Sequence, residues 1–223
     1  MENRFLRNKD LINQKKLEES VTVIGAGGIG SALITLMSIM GFKDVIVYDD
    51  DSVQEHNRST TLYPKGYVGK SKVIAAEEAF MSYGDVEQKI LPLEQRWNGG
   101  TISNLSNIVF MCPDNMKTRE AVYLKWVDNP RRKLLVDMRM GALGMEVVTV
   151  TKKDDYFWKD FIEDGVLEPE ECTMKHTIFC ANIVAGLGLT QAFSFLQYIP
   201  FYAYINLSLT PTKLQTKNLI TGD

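Results

Sequence analysis

The sequence predicts an α/β fold, a doubly wound and mostly parallel sheet with helices on both faces. Three observations carry this. The apolar run Val21–Ile24 leads directly into a glycine-rich turn over residues 25–30. Residues 31–40 then form an apolar stretch rich in small side chains, closed by Gly41. A second β-branched run, DVIVY, follows and ends on Asp49, Asp50 and Asp51. Short runs apolar on every position read as strands covered on both faces. Strand, glycine turn, helix and strand make the first half of a doubly wound domain.

The remaining elements follow in order. Residues 4–19 are polar and helix-compatible, with Leu11, Ile12 and Leu17 as a sparse apolar face. Helical periodicity and Ala/Glu-rich composition mark residues 69–83. Strands are expected over 86–91 and 108–111, the second ending at Cys112-Pro113-Asp114, and a helix over 116–127. Strands at 134–136 and 146–151 flank the run DMRMGALGMEV. Residues 152–171 are acidic, carry Pro169 and read as a surface loop. PFYAYINLSLTP alternates with period two and reads as the closing strand. The expectation is one domain over 1–223, with 151–175 as a mobile loop.

Composition narrows the function. A net charge of −3 lacks the basic excess that phosphate-backbone binding needs, so nucleic acid is not the expected partner. The three cysteines, Cys112, Cys172 and Cys180, form no CxxC pair; they suit a reducing cytoplasm and give no zinc signature. The N-terminus MENRFLRNKD is too charged for a signal peptide, and the expected location is cytoplasmic. Between Thr177 and Thr212 there is no Lys, Arg, Asp or Glu. That stretch is long enough to span a bilayer. It carries Asn182, Gln191 and Gln197 and no basic flank, so it reads as a buried core helix, with no membrane expected.

Gly25, Gly27 and Gly30 fit G-x-G-x-x-G. The first glycine permits the tight turn, the second lets a phosphate approach the backbone, and the third lets helix and strand pack closely. N–H groups at the helix start then face the phosphates. Asp49, at the end of the next strand, suits a ribose hydroxyl. All of this fits NAD and ATP equally well.

A further set of residues separates the two. Gly28 makes the turn GAGGIG; DDDSV, EHN and GxxK follow, and then CPDN with Arg119 beyond it. Upstream stands Arg4-Phe5-Leu6-Arg7-Asn8, with Gln14 following. This ordered set resembles the ThiF and ubiquitin-activating-enzyme superfamily, whose pattern runs G-x-G-G-x-G, D-x-D-x-V, an asparagine, G-x-x-K, and a D-N pair with a following arginine. The resemblance covers nearly the whole chain. It implies a Rossmann-like, mostly parallel sheet continued by antiparallel strands. It also implies a homodimeric adenylyltransferase using ATP and Mg²⁺ on the C-terminal carboxylate of a small ubiquitin-like or sulfur-carrier protein. Relatives that act on peptides or on modified tRNA share the same ATP site.

Carried over by position, the resemblance places Gly25, Gly27, Gly28 and Gly30 at the phosphates and Asp49 at the ribose. Asp51 and Asn57 fall near the phosphates, Lys72 neutralises them, Asp114 holds Mg²⁺, and Arg7 is lent to the neighbouring subunit's site. A carboxylate attacking the α-phosphate builds charge on phosphoryl oxygens and on pyrophosphate, which cations and a metal stabilise. Each residue also has a plain reading: Lys72 as a solvated helix lysine, Asp114 as a helix N-cap, Asn57 as a turn residue, Arg7 as a surface arginine.

The sequence departs from the family pattern where an arginine and a glutamine are expected: Thr60 and Thr61 stand there, while Arg58 directly follows Asn57. Either Arg58 takes over through a reshaped loop or one phosphate contact is missing. Cys172, in PEECTMK, matches a cysteine-threonine pair that carries the thioester in ubiquitin-activating enzymes, and Lys175 is placed to lower its pKa. An inert junction cysteine is the alternative. Cys112 and Cys180 read as core packing, and His56 and His176 as structural. The competing functions are an NAD(P)-dependent oxidoreductase, which leaves Lys72, Asp114 and Arg7 without a role, and a non-catalytic partner subunit of the same fold.

Overall fold

The computed structural model describes residues 3–97, 105–163 and 177–221. Eight strands form one sheet in the order β3-β2-β1-β4-β5-β6-β7-β8. They are β1 (Val21–Ile24), β2 (Asp44–Tyr48), β3 (Lys89–Leu93), β4 (Ile108–Met111), β5 (Leu134–Gly141), β6 (Gly144–Thr151), β7 (Phe201–Leu209) and β8 (Thr212–Ile220). The first five run parallel, and β6, β7 and β8 continue antiparallel. The chain winds from β1 outward through β2 to β3, then crosses back to β4 on the other side of β1. The strand order therefore reverses between β1 and β4, which opens a crevice at their carboxyl ends.

Alternation along the central strands feeds two cores. Val21, Val23, Ile108 and Phe110 face one layer, built with α1 (Gly28–Met40), α2 (Lys72–Tyr83) and α5 (Ile178–Gln197). Ile24, Val109 and Met111 face the other, which includes Val122 and Trp126 of α3 (Met116–Val127) and Trp158 of α4 (Phe157–Glu163). Helix boundaries follow local chemistry. Gly41, at φ 101°, ends α1 by donating its N–H to Met37 and Ser38 carbonyls. Asn115 caps α3 and Thr177 caps α5, each side chain accepting an N–H from the first turn.

Four expectations are corrected. Residues 4–19 form only short 3₁₀ turns, Asn3–Phe5 and Gln14–Glu18. Arg4 pins this segment to the carboxyl end of α1, donating to the Ser38 carbonyl at 2.9 Å. The strand expected at 86–91 begins later, at Lys89; Val86 is 98% exposed. The described part of the acidic loop contains α4, whose buried Trp158 stacks on Tyr123 with centroids 4.3 Å apart. Finally, β7 does not close the sheet, because β8 pairs beyond it. The apolar α5 has the length and hydropathy of a membrane span; here it packs on α1, β5, β6 and β7.

Candidate functional site

The glycine turn sits at the crevice. Gly25 has φ +95°, and a Cβ there would lie 2.8 Å from the Cys112 carbonyl oxygen at the end of β4. A Cβ on Gly30 would fall 2.0 Å from the Gly25 carbonyl oxygen. These two glycines are demanded by the turn itself. Around Gly27 a Cβ would meet nothing within 4 Å, and Gly27, Gly28 and Ile29 line a cleft of about 800 Å³. The amino end of α1 thus opens onto free space, with its positive dipole end and spare N–H groups.

Asp49 is placed by backbone donors. Its carboxylate accepts from Ala26 N at 2.7 Å and from Asp51 N at 2.9 Å. The side chain is only 10% exposed. Burial raises its pKa, and nearby Lys72 and the two N–H donors offset part of that rise. Lys72 reaches the same spot because two segments pair: Val53 N donates to Lys70 O, Gly69 N to Val53 O, and Lys72 N to Asp51 O. The ammonium then lies 2.7 Å from Asp51 Oδ2 and 4.0 Å from Asp49 Oδ1, 11% exposed. Lys72 is therefore held against the cleft and is no solvated surface lysine.

Asp114 is exposed at the end of β4 and lines the same cleft. It is not the cap of α3; Asn115 takes that role, accepting Thr118 N at 2.8 Å. Asp114 Oδ1 accepts a side-chain bond from Asn115 Nδ2 at 2.9 Å. Asn57 lines the cleft, and its Oδ1 accepts Gln54 N, which orders the 3₁₀ turn Glu55–Ser59. Arg58 is not among the cleft-lining residues and pairs with Glu55. Thr60 and Thr61 do line the cleft. Arg7 is exposed near the carboxyl end of α1, roughly 20 Å along that helix from the glycine turn at 1.5 Å per residue. The chain's own fold does not bring it to the cleft. Cys172, Thr173, Lys175 and His176 lie outside the described residues.

Several cleft residues were given no site role from the sequence, although Cys112 and Arg119 stood in its motifs. His56, expected to be structural, is exposed on the cleft wall. Cys112, expected in the core, also lines it, with burial pushing its thiol up to about 12. Arg119 and Arg139 form the floor beyond Asp114. Both pair with Asp137, which is fully buried and also accepts Trp158 Nε1 at 3.0 Å. Burial works to raise the Asp137 pKa, yet the two guanidiniums and the indole donor hold it below the ordinary carboxylate range. The sequence signal was present: Asp137 and Arg139, two apart in a strand, project from one face of an otherwise apolar run. A smaller compartment of about 110 Å³ adjoins the cleft, lined by Tyr48, Asp49, Asp50, Arg96 and Trp97 among others.

A doubly wound sheet with a cleft at its switch point, lined by Asp51, Asn57, Lys72 and Asp114 among others, has the Rossmann-like α/β architecture. The match to the ThiF family model over residues 3–219 is decisive at the next level: the chain belongs to the ThiF family. It is 27% identical over 118 residues to ubiquitin-like modifier-activating enzyme 5 of Caenorhabditis briggsae, covering 47% of this chain and 27% of that protein. It is 31% identical over 113 residues to the adenylyltransferase and sulfurtransferase MOCS3-2 of Zea mays, covering 48% and 23%. The chain thus spans under a third of the length of these relatives. Among solved structures, E. coli MccB with ATP superposes with a TM-score of 0.76 at 16% identity, over 97% of this chain and 71% of that one. PaaA superposes at 0.72 and 18% identity, over 92% and 65%. These likenesses establish the shared fold.

Proposed function

We propose that this protein binds ATP as its magnesium complex at the glycine turn and adenylates the C-terminal carboxylate of a small ubiquitin-like or sulfur-carrier protein. One observation carries the reading: Lys72, held between Asp49 and Asp51, shares a single cleft with the open amino end of α1 and the exposed carboxylate of Asp114. Hydride transfer from a nicotinamide has no use for that lysine and that carboxylate. Phosphoryl chemistry uses both.

In this reading the N–H groups of Gly27 and Gly28 cradle the phosphates and Asp49 takes the ribose. Asp114 offers hard oxygen ligands for Mg²⁺, and Asp51 lies at the phosphates beside Lys72. Magnesium supplies charge neutralisation on the phosphates. The substrate carboxylate attacks the α-phosphorus; a C–O–P bond forms, and the bond to the bridging oxygen of pyrophosphate breaks. Lys72 stabilises the charge that leaves. Arg7 serves the neighbouring subunit of a homodimer, since its own cleft lies at the far end of α1. Cys172 then attacks the acyl carbon, releasing AMP and forming a thioester. The support for the substrate class is family membership together with relatives named as activators of ubiquitin-like modifiers. We place the protein in the cytoplasm, with α5 as a core helix, without membrane or nucleic acid as partner.

ATP–pyrophosphate exchange in the presence of a carrier protein ending in Gly-Gly tests the reading, with Lys72→Ala as the control. Exchange that depends on Mg²⁺ and is lost in the variant is expected. Binding of NAD in place of ATP, measured by calorimetry, overturns it. A second reading, a non-catalytic partner subunit, is favoured by Thr60 and Thr61 at the cleft and by Arg58 engaged with Glu55. ATP binding without any exchange decides for it.

A further inference from the structure

Leu62 and Tyr63, which directly follow the departure from the family pattern at Thr60 and Thr61, hold the glycine turn from behind. Tyr63 is 4% exposed and packs in the core with α1 and α2. Its hydroxyl donates to the Ala26 carbonyl at 2.8 Å. Ala26 N–H in turn donates to Asp49 at 2.7 Å. The residue between Gly25 and Gly27 is therefore held on both backbone polar atoms by side chains from outside the turn. One residue earlier, Leu62 N donates to Ser31 Oγ at 3.2 Å, and that hydroxyl donates to the Gly28 carbonyl at 3.0 Å. Residues 62 and 63 thus tether the turn at two points.

The consequence follows from peptide geometry. In a trans peptide the carbonyl of one residue and the N–H of the next point in opposite directions. Drawing the Ala26 oxygen toward the core directs the Gly27 N–H the other way, and Gly27 lines the open cleft. A glycine-rich turn has the freedom to rotate this peptide, which would turn a carbonyl oxygen toward the phosphates. The buried phenol opposes that rotation. Burial and the nearby Asp49 raise its pKa, so it remains a donor.

We propose that Tyr63 is a positioning residue of the phosphate site, which holds the Ala26–Gly27 peptide with its N–H facing the cleft. The proposal rests on reading the glycine turn as the site of the ATP phosphates. In this chain, Leu62 and Tyr63 support phosphate binding by ordering the backbone donors of the turn. Tyr63 itself touches no substrate.

Tyr63→Phe keeps the ring and removes the hydroxyl. Calorimetry with ATP, pyrophosphate and adenosine should show the affinities for ATP and pyrophosphate falling about tenfold, the scale of one buried hydrogen bond, while adenosine binding stays unchanged. In exchange assays KM for ATP should rise more than kcat falls. Phe80→Leu, on the buried face of α2, gives the comparison: it should lower the melting temperature and leave ATP affinity intact. Unchanged ATP affinity in Tyr63→Phe overturns the proposal, as does an equal loss for adenosine and ATP. Failure of the wild-type protein to bind ATP is a separate result and overturns the ATP reading beneath it.

Discussion

Changing Asp137 to Asn should be among the most costly single substitutions in this protein. The carboxylate is fully buried, shared by Arg119 and Arg139, and bonded to Trp158 Nε1. The variant keeps the shape but leaves two enclosed guanidiniums without their common countercharge. Breaking a buried ion pair by removing one partner costs about 3–5 kcal/mol. Unfolding entropy of ~2.1 cal/mol/K per residue, over 223 residues, makes each kcal/mol worth about 2 °C, so the expected fall in Tm is roughly 6–11 °C at pH 7. The pH dependence has a definite sign. The native carboxyl titrates below its unfolded value, so its stabilisation is fully present above about pH 4 and is lost as pH falls through the lower native pKa. The gap between wild type and Asp137→Asn should therefore close in acid. Scanning calorimetry of both proteins from pH 7 down to the acid limb measures this. A fall of under about 2 °C at pH 7, or a gap that does not narrow with acid, refutes the assignment of Asp137 as the charge that holds α3 and α4 to the sheet.

Other outcomes are equally concrete. Gly30→Ala forces a Cβ to within 2.0 Å of the Gly25 carbonyl, so it should lower stability by about 1–3 kcal/mol or more and disrupt ATP binding; Gly27→Ala has room for its Cβ and should weaken ATP while leaving Tm unchanged. Thermal melts alongside calorimetry distinguish these, and equal Tm losses in the two variants contradict the steric argument. Asp114→Ala should abolish pyrophosphate exchange without unfolding the protein, because Asn115 supplies the cap of α3. Mixing Arg7→Ala with Asp114→Ala subunits should then restore exchange, since each mixed dimer keeps one complete site; no recovery in a confirmed dimer argues against Arg7 acting in trans. Cys172→Ala should still form the acyl-adenylate but not a reducible adduct with the carrier, a difference that gel electrophoresis with and without thiol resolves. An adduct at wild-type yield in that variant removes Cys172 from the mechanism.

The central parallel strands β1, β2 and β4 were legible from residue order alone. Val21–Ile24 and Ile108–Met111 are fully buried, Val45–Tyr48 largely so, and burial on both faces writes itself as unbroken apolar runs. The glycine turn was legible because close backbone approach admits no side chain at Gly25 and Gly30. Elements that meet solvent or carry their stabilising contacts elsewhere left no such trace. In β8 nearly every residue is exposed, so it pairs through its backbone and shows no burial pattern. The helix α4 hides among acidic residues, anchored by Trp158 with Phe157 packed beside it. The site divides the same way. Which residue types belong to a phosphate site could be read from motif order. Which of them meet was decided by tertiary structure: the pairing of Val53 with Gly69 and Lys70 brings Lys72 beside Asp51, while Glu55 holds Arg58 away from the cleft wall. Asp137 gains its meaning only when α3 delivers Arg119 to β5, since a carboxylate's environment is set by neighbours distant along the chain.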